Sequence, residues 1–132
     1  MNRRFDILFV LIVLVGVSAV DSRAVHAQEI FAGGYTQKSG ADLYKDICQG
    51  CHMPNAKGAI GAGAYPALAN DIRLIAAVYP ITVVLNGQRA MPPFGANLSD
   101  TQIANVINYI RENFGNHYKD PVLPAAVKAA RR

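Results

Sequence analysis

The sequence has no tryptophan, only two cysteines and only 17% charged residues in a chain of 132. Two cysteines cannot form the several disulfides that hold small secreted scaffolds together. They also cannot supply a four-cysteine zinc or iron–sulfur site on their own. Hydrophobic residues make up 52% of the chain, which excludes a disordered or collagen-like protein and leaves one compact domain as the expectation.

Basic residues exceed acidic ones, 13 against 9, and the formal net charge is +4. An excess of this kind indicates nucleic-acid binding only when the basic residues cluster on one face or in one segment. Here they are scattered, and three of them, Arg3, Arg4 and Arg23, lie in an N-terminal segment that we expect to be removed. We therefore predict no nucleic-acid partner.

That N-terminal segment, residues 1–27, has the layout of a secretory signal peptide. Two arginines precede 14 consecutive uncharged residues, 7–20, and the side chains of Val25-His26-Ala27 suit cleavage after Ala27. As a helix, the apolar run would span about 21 Å, which is short of the roughly 30 Å hydrocarbon core of a membrane. We predict export to the periplasm with no stable membrane span after cleavage; an uncleaved, tilted membrane anchor is the alternative.

The chemistry of the chain centres on Cys48–His52, a C-x-x-C-H motif. A redox-active dithiol would need the cysteine pair at a helix start after a buried strand, and no strand-like run precedes Cys48. If the motif were half of a zinc site, only His117 and carboxylates would remain in the chain as further zinc ligands. Covalent attachment of haem c would use both thiols, with His52 binding the iron. The motif alone favours haem c and leaves the other two interpretations open.

A haem bound by His52 would need a sixth iron ligand. After residue 27 the chain has two methionines, Met53 and Met91, and Met53 follows His52 too closely to reach the opposite haem face. Met91 comes 39 residues after His52, flanked by glycines and directly before two prolines, a setting that suits a stiff loop better than a packed core. His117 is the other candidate, in a polar stretch after the last long helix. We predict His52 and Met91 as the metal ligands.

Apolar residues recur at helical spacing, and capping signals mark where helices begin. Ser39, with an acid three residues later, predicts a helix that ends at the motif. Asn70 predicts the cap of a second helix, whose apolar stripe would be Ile72, Ile75, Ala76 and Tyr79. Pro80 would end that helix and suit the first turn of a third, 81–86, closed by the glycine that follows. The β-branched residues of 81–86 would also suit a strand, which is the alternative for this segment.

The last main helix is the best marked. Ser99–Gln102 predicts a capping box, and Gly115 predicts the end of the helix. The apolar stripe between them is Ile103, Val106, Ile107, Ile110 and Phe114. The glycine-rich stretch 56–64 is expected to be a flexible loop that can wrap a rigid haem edge. The predicted fold class is therefore all-α.

The segment 39–116 resembles the class I monohaem cytochromes c of bacterial periplasms. Gly40, Tyr44 and Cys48 repeat that family's pattern of a glycine and an aromatic residue at four-residue steps before the first haem cysteine. In the family, the N-terminal and C-terminal helices cross at this glycine. The matching partners on the C-terminal helix would be Val106 and Tyr109.

Two loops extend the resemblance. Tyr65-Pro66 is similar to the family's loop in which a proline carbonyl accepts the Nδ1 proton of the proximal histidine. Met91, in the sequence MPPF, resembles the axial-methionine loop of cytochromes that serve alcohol and related dehydrogenases. Some relatives place a tryptophan near a haem propionate; because this chain has none, Arg89 or Tyr65 would take that position.

The resemblance implies a cytochrome c fold in which three to five helices wrap one haem c, attached through Cys48 and Cys51. It also implies the division of the chain after the signal peptide. Residues 28–38 would be an N-terminal extension, 39–116 the cytochrome c domain and 117–132 a C-terminal tail. That tail is either frayed or a short helix that packs on the domain or on a partner protein.

The implied function is periplasmic one-electron transfer by a protein that is not itself an enzyme. Its donor would be a quinone- or flavin-dependent periplasmic dehydrogenase, of which the chain could be the cytochrome subunit. The same fold could instead carry electrons only between a cytochrome bc-type complex and an oxidase. Its acceptor would be a terminal oxidase or another cytochrome. The alternative is a haem c enzyme, such as a peroxidase, or a gas-binding protein in which Met91 is displaced from the iron.

Overall fold

The computed structural model describes residues 34–61 and 63–131. The predicted signal peptide and the start of the N-terminal extension lie outside the described residues. The helices are α1 (Gly40–Leu43), α2 (Gln49–His52), α3 (Val78–Asn86), α4 (Asp100–Glu112) and α5 (Pro124–Ala130), with a π-helical turn at Tyr44–Cys48 and a 3₁₀ helix at Ile72–Ile75. In this part of the chain, no helix combines the length and the apolar character needed to cross a membrane.

α1, the π turn and α2 follow one another directly and carry the C-x-x-C-H motif. Ser39 caps α1 as predicted, because its hydroxyl accepts a hydrogen bond from the backbone N–H of Asp42 (3.1 Å). The same hydroxyl donates to the Asp42 carboxylate (2.5 Å). The sequence did not predict the π turn, which ends at the first cysteine of the motif; such turns occur frequently at functional sites.

α1 packs against α4 at Gly40, where the two backbones are nearly in contact. A Cβ on Gly40 would lie 2.1 Å from the carbonyl oxygen of Asn105 and 2.7 Å from Cβ of Tyr109, so no larger residue fits. Tyr109 is one of the two partners that the resemblance implied. The other nearest atoms belong to Asn105 rather than to Val106, which is buried in the core.

The predicted second helix is shorter than expected and is capped by a different residue. Asn70 has a left-handed backbone (φ +51°), whereas an N-cap residue is normally extended. Asp71 is the cap instead, since its carboxylate accepts a hydrogen bond from the backbone N–H of Arg73 (3.0 Å). Ala76 is extended and ends the 3₁₀ helix after one turn. The predicted apolar stripe is therefore not a core face.

α3 confirms the prediction of a third helix but begins at Val78 rather than Ile81. Pro80 lies in its first turn, as predicted, a position where the missing N–H costs no intrahelical hydrogen bond. Gly87 follows the helix as predicted, with a positive φ of 72°.

The all-α prediction missed one small pair of strands. β1 (Ala59–Ile60) and β2 (Ala64–Tyr65) are antiparallel, with Ala59 opposite Tyr65 and Ile60 opposite Ala64. They lie in the glycine-rich stretch that we expected to be a flexible loop. Two residues per strand are too few for alternating hydrophobicity to mark a strand in the sequence, so periodicity did not predict them.

α4 provides one wall of the core, and its N-terminus confirms the predicted capping box. The hydroxyl of Ser99 accepts from the N–H of Gln102 (3.2 Å), and the side-chain oxygen of Gln102 accepts from the N–H of Ser99 (2.9 Å). The helix ends at Glu112, before the predicted end, because Asn113 is extended and Phe114 is left-handed. Its buried apolar residues are Ile103, Ala104, Val106, Ile107 and Ile110.

The C-terminal tail forms α5, which packs against α4. Val127 on α5 is fully buried in the core. Asn108 on α4 exchanges two hydrogen bonds with the backbone of Val122, at 3.0 Å to its carbonyl oxygen and 2.7 Å from its N–H. The helix in the tail is thus held to the rest of the domain by both apolar burial and hydrogen bonds.

Candidate haem-binding site

His52 is the buried residue of the C-x-x-C-H motif, with 9% of its surface exposed. Its Nδ1 lies 2.9 Å from the carbonyl oxygen of Pro66, the contact that the resemblance implied. A carbonyl oxygen can only accept a hydrogen bond, so Nδ1 carries a proton, and in the neutral ring the lone pair is then on Nε2. The ring is therefore held in the tautomer in which Nε2 can bind a metal.

Main-chain hydrogen bonds bring the chain back to His52. The N–H of Gly58 donates to the His52 carbonyl (3.1 Å), and the N–H of Leu68 donates to the Ala56 carbonyl (2.8 Å). Gly58 has a φ of +68°, and a Cβ on it would lie 2.1 Å from the carbonyl oxygen of Tyr65. The loop that presents the proline carbonyl is thus fixed by close backbone contacts rather than by side chains alone.

Both cysteines of the motif are free; Cys48 is half-buried and Cys51 is exposed. Burial, with a smaller contribution from the neighbouring Cys51 thiol, raises the pKa of Cys48 to about 12. Reactive dithiols require the opposite shift, since the thiolate is the nucleophile. The site therefore gives no support to the redox-dithiol interpretation.

The zinc interpretation lacks further ligands in the part of the chain that the structure describes. No group of three or more His, Cys, Asp or Glu side chains there is placed to hold a metal ion. His117, which the sequence analysis considered as a further ligand, is exposed after the end of α4.

Met91 closes a tight turn after α3. The backbones of Gln88 and Met91 exchange two hydrogen bonds, each 3.0 Å long. Gly87 lies against this turn, where a Cβ would be 2.6 Å from the Met91 carbonyl oxygen. Met91 is half-buried, and Arg89, in the same turn, is exposed. The structure thus places Met91 and Arg89 together in one stiff loop.

Residues 36–110 contain the motif, the proline loop and the methionine turn, and they match the protein-family model described as cytochrome c oxidase, cbb3-type, subunit III. The chain belongs to the cytochrome c family. The match covers more than half of the chain and includes every residue that the sequence predicted for the site.

Two similar curated proteins are cytochrome subunits of dehydrogenases. The gluconate 2-dehydrogenase cytochrome c subunit of Pantoea cypripedii is 30% identical over 75% of this chain, and the fructose dehydrogenase cytochrome subunit of Gluconobacter japonicus is 35% identical over 58%. This cytochrome c chain spans only 25% and 19% of their lengths. Cytochrome c6 of Aphanizomenon flos-aquae is 33% identical over 61% of this chain and 94% of its own length.

Asn116 is a buried residue that the sequence analysis missed. It is 2% exposed, and its side-chain amide donates to the carbonyls of Leu68 (2.8 Å) and Ile110 (2.9 Å). Its side-chain oxygen accepts from the N–H of Asp71 (2.9 Å). Asn116 therefore joins the end of α4 to the segment that follows Pro66. Its partners at Leu68 and Asp71 lie 48 and 45 positions away, so no local pattern marks it.

Membership of the cytochrome c family implies haem c, and the donor groups of this site fit it. Two free thiols lie at the C-x-x-C spacing, and in the next residue, His52, the Nδ1 is engaged by a carbonyl oxygen, which leaves Nε2 as the nitrogen that would bind the iron. Large apolar residues also lie exposed in the chain segment that contains Pro66, and exposed side chains of this kind suit contact with an apolar group such as a haem. They are Ile60 (95% exposed), Tyr65 (42%), Ile72 (69%), Ile75 (59%) and Val78 (66%).

Proposed function

We propose that this cytochrome c is a periplasmic one-electron carrier with one haem c, attached through Cys48 and Cys51 and bound axially by His52 and Met91. The observation that carries the proposal is the His52–Pro66 hydrogen bond, because it prepares the histidine next to the second cysteine as a metal ligand. A bound haem c would accept and release one electron reversibly. The two thiols give the attachment points, and no acid–base group of the chain is assigned a catalytic role.

The two proposed axial ligands have different roles. Pro66 accepts the Nδ1 proton of His52, which fixes the orientation of the ring and raises the basicity of Nε2. Met91 provides a soft thioether that favours the reduced iron and raises the reduction potential relative to a second histidine. With both axial positions filled, no position is left for a substrate, which is why electron transfer rather than catalysis is proposed.

Arg89 is proposed to pair with a haem propionate. It is an exposed cation in the same hydrogen-bonded turn as Met91, so the loop that would bring the thioether to the iron also carries a guanidinium. Tyr65, which is 42% exposed beside Pro66, is the other proposed propionate partner.

The proposed donor is a quinone- or flavin-dependent periplasmic dehydrogenase, and the proposed acceptor is a terminal oxidase or another cytochrome. The support for the donor is that two similar proteins are named as cytochrome subunits of sugar-related dehydrogenases. Residues 1–27 are proposed as the export signal, 28–38 as an extension, 39–116 as the cytochrome c domain and 117–132 as its tail.

The optical spectrum of the exported protein tests the ligation. The full chain is produced in a host that matures haem c in its periplasm, and the Cys48→Ser/Cys51→Ser double variant is the control for attachment. We expect one haem per chain by mass, a low-spin spectrum with the weak ferric thioether-to-iron band, and no change with CO. A high-spin ferric spectrum or rapid CO binding would instead support the haem enzyme or gas-binding alternative.

Two further measurements test the location and the donor. N-terminal sequencing of the periplasmic protein is expected to give Gln28 as its first residue; a chain that still begins at Met1 would contradict cleavage. Stopped-flow mixing of the oxidised protein with a substrate-reduced dehydrogenase is expected to reduce it rapidly. If a quinol–cytochrome c oxidoreductase reduces it and the dehydrogenases do not, the proposed donor is wrong.

A further inference from the structure

The loop after Met91 is held by the C-terminal end of the chain. Arg131 lies at the C-cap of α5, and its Nε donates to the Asp100 carboxylate (2.5 Å). Its Nη2 donates to the carbonyl of Leu98 (2.8 Å), and its Nη1 donates to the carbonyl of Gly95. Gly95 and Leu98 lie between Met91 and α4, and Asp100 is the first residue of α4. One guanidinium therefore spans the second half of the methionine loop.

The same segment is also bonded to the end of α3. The N–H of Phe94 donates to the Val84 carbonyl (2.9 Å), and the N–H of Gly95 donates to the Leu85 carbonyl (3.1 Å). A Cβ on Gly95 would lie 2.8 Å from the Leu85 carbonyl oxygen and 3.6 Å from Nη1 of Arg131. Gly95 is thus enclosed between α3 and Arg131.

Two prolines connect this enclosed segment to Met91. Pro92 and Pro93 have fixed φ angles, so the backbone between Met91 and Phe94 has few ways to absorb a movement of Gly95. A shift at Gly95 is therefore transmitted to Met91. On the other side of Met91, the two hydrogen bonds between the backbones of Gln88 and Met91 close the turn. The backbone before Met91 therefore also has little freedom to move.

The position of Arg131 is set by the packing of α5. Val127 is fully buried, and the Asn108–Val122 hydrogen bonds fix the chain just before the helix. Arg131 is partly exposed (32% of its side chain), so its guanidinium can be changed without opening the core. It is also outside the set of residues assigned to haem attachment or ligation.

We propose that Arg131 is a positioning residue for Met91: by fixing the segment from Gly95 to Leu98, it restricts the motion that would withdraw the thioether from the iron. The inference rests on the proposed His52/Met91 ligation. A thioether is a weak ligand, so its occupancy of the iron depends on how narrowly the loop confines it.

Three variants test the proposal in the haem-loaded full chain. Arg131→Gln removes the charge and most of the donors, Arg131→Lys keeps the charge with fewer donors, and Lys128→Gln removes one charge from an exposed position of the same helix. For Arg131→Gln we expect attached haem, a weaker ferric thioether band, a lower reduction potential and about tenfold faster CO binding to the reduced protein. Arg131→Lys should recover part of each change, and Lys128→Gln should match the parent.

Met91→Ala, measured in parallel, separates the two proposals. If Met91→Ala loses the band while Arg131→Gln keeps the parent spectrum, potential and CO rate, the ligation stands and the positioning role is wrong. A lower melting temperature of Arg131→Gln without those changes also contradicts the positioning role. If Met91→Ala keeps the band, the ligation fails and the positioning role fails with it. Should Arg131→Gln not accumulate, Arg131→Lys is compared with the parent by the same criteria.

Discussion

The fully buried guanidinium of Arg111 pairs with the carboxylate of Asp120, whose side chain is 71% exposed, at 2.7 Å. Arg111 also donates to the carbonyls of Leu74 (2.9 Å) and Ile75 (3.3 Å), and the ring of Tyr118 lies 5.6 Å from its guanidinium carbon. A buried charge without partners is strongly destabilising. This cluster therefore joins α4, the 3₁₀ helix and the C-terminal tail into one domain.

Acid should weaken this cluster. The hydrogen bond from Arg111 lowers the pKa of Asp120 below its ordinary value of about 3.9. A carboxylate whose pKa is lower in the folded than in the unfolded state stabilises the fold fully above the unfolded-state pKa. This stabilisation is lost as the pH falls through the folded-state pKa. Asp120→Asn should therefore lower the melting temperature at pH 7, and its difference from the parent should disappear as the pH falls through the lowered pKa of Asp120.

Glu112→Gln is the matched control for that experiment, because Glu112 is exposed and next to Arg111 in the chain. Its melting temperature at pH 7 should equal that of the parent. If Asp120→Asn and the parent differ by the same amount at every pH, the carboxylate is not the group responsible.

Gly40→Ala should destabilise the crossing of α1 and α4. The added methyl would lie 2.1 Å from the Asn105 carbonyl oxygen, so the helices must separate, at a cost of about 1–3 kcal/mol. Gly50→Ala is the control, since Gly50 is helical and has nothing within 4 Å of its would-be Cβ. Denaturant unfolding of both variants should show a loss only for Gly40→Ala; equal stabilities would mean that the contact relaxes without cost.

Asn116→Ala should leave three backbone groups, two buried and one partly buried, without their partners. The Asp71 N–H and the carbonyls of Leu68 and Ile110 would all lose a hydrogen bond, and we expect a loss of about 2–4 kcal/mol in the free energy of unfolding. Asn113→Ala, which removes one exposed hydrogen bond, should cost less than about 0.5 kcal/mol. Similar losses in the two variants would contradict a joining role for Asn116.

Met91→Ala should leave the haem attached, because Cys48 and Cys51 are unchanged. We expect a lower reduction potential and rapid CO binding, since the thioether is gone. Met53→Leu is the control: it removes the half-buried methionine that directly follows His52 and should keep the parent spectrum. Spectra and redox titrations of both variants decide between the two methionines, and a parent-like Met91→Ala would identify a different ligand.

Local rules predicted the helices whose signals are local. The Ser99–Gln102 capping box and the apolar stripe of α4 depend on residues three or four positions apart, and both are present in the structure. Asn70 failed as a predicted cap for the opposite reason. Its N–H donates to the carbonyl of Phe114, far along the chain, and its backbone is left-handed. Asp71 therefore caps the 3₁₀ helix instead.

The sequence by itself determined the family, the C-x-x-C-H motif and the two candidate ligands, His52 and Met91, since these depend on residue type and spacing. Only the tertiary structure decided how the loops around them are held: by Asn116 behind the proline loop, and by Arg131 beside the methionine loop. Those contacts join residues 48 and 36 positions apart. Hydrogen bonds over such separations depend on how helices pack, so no local pattern in the sequence predicts them.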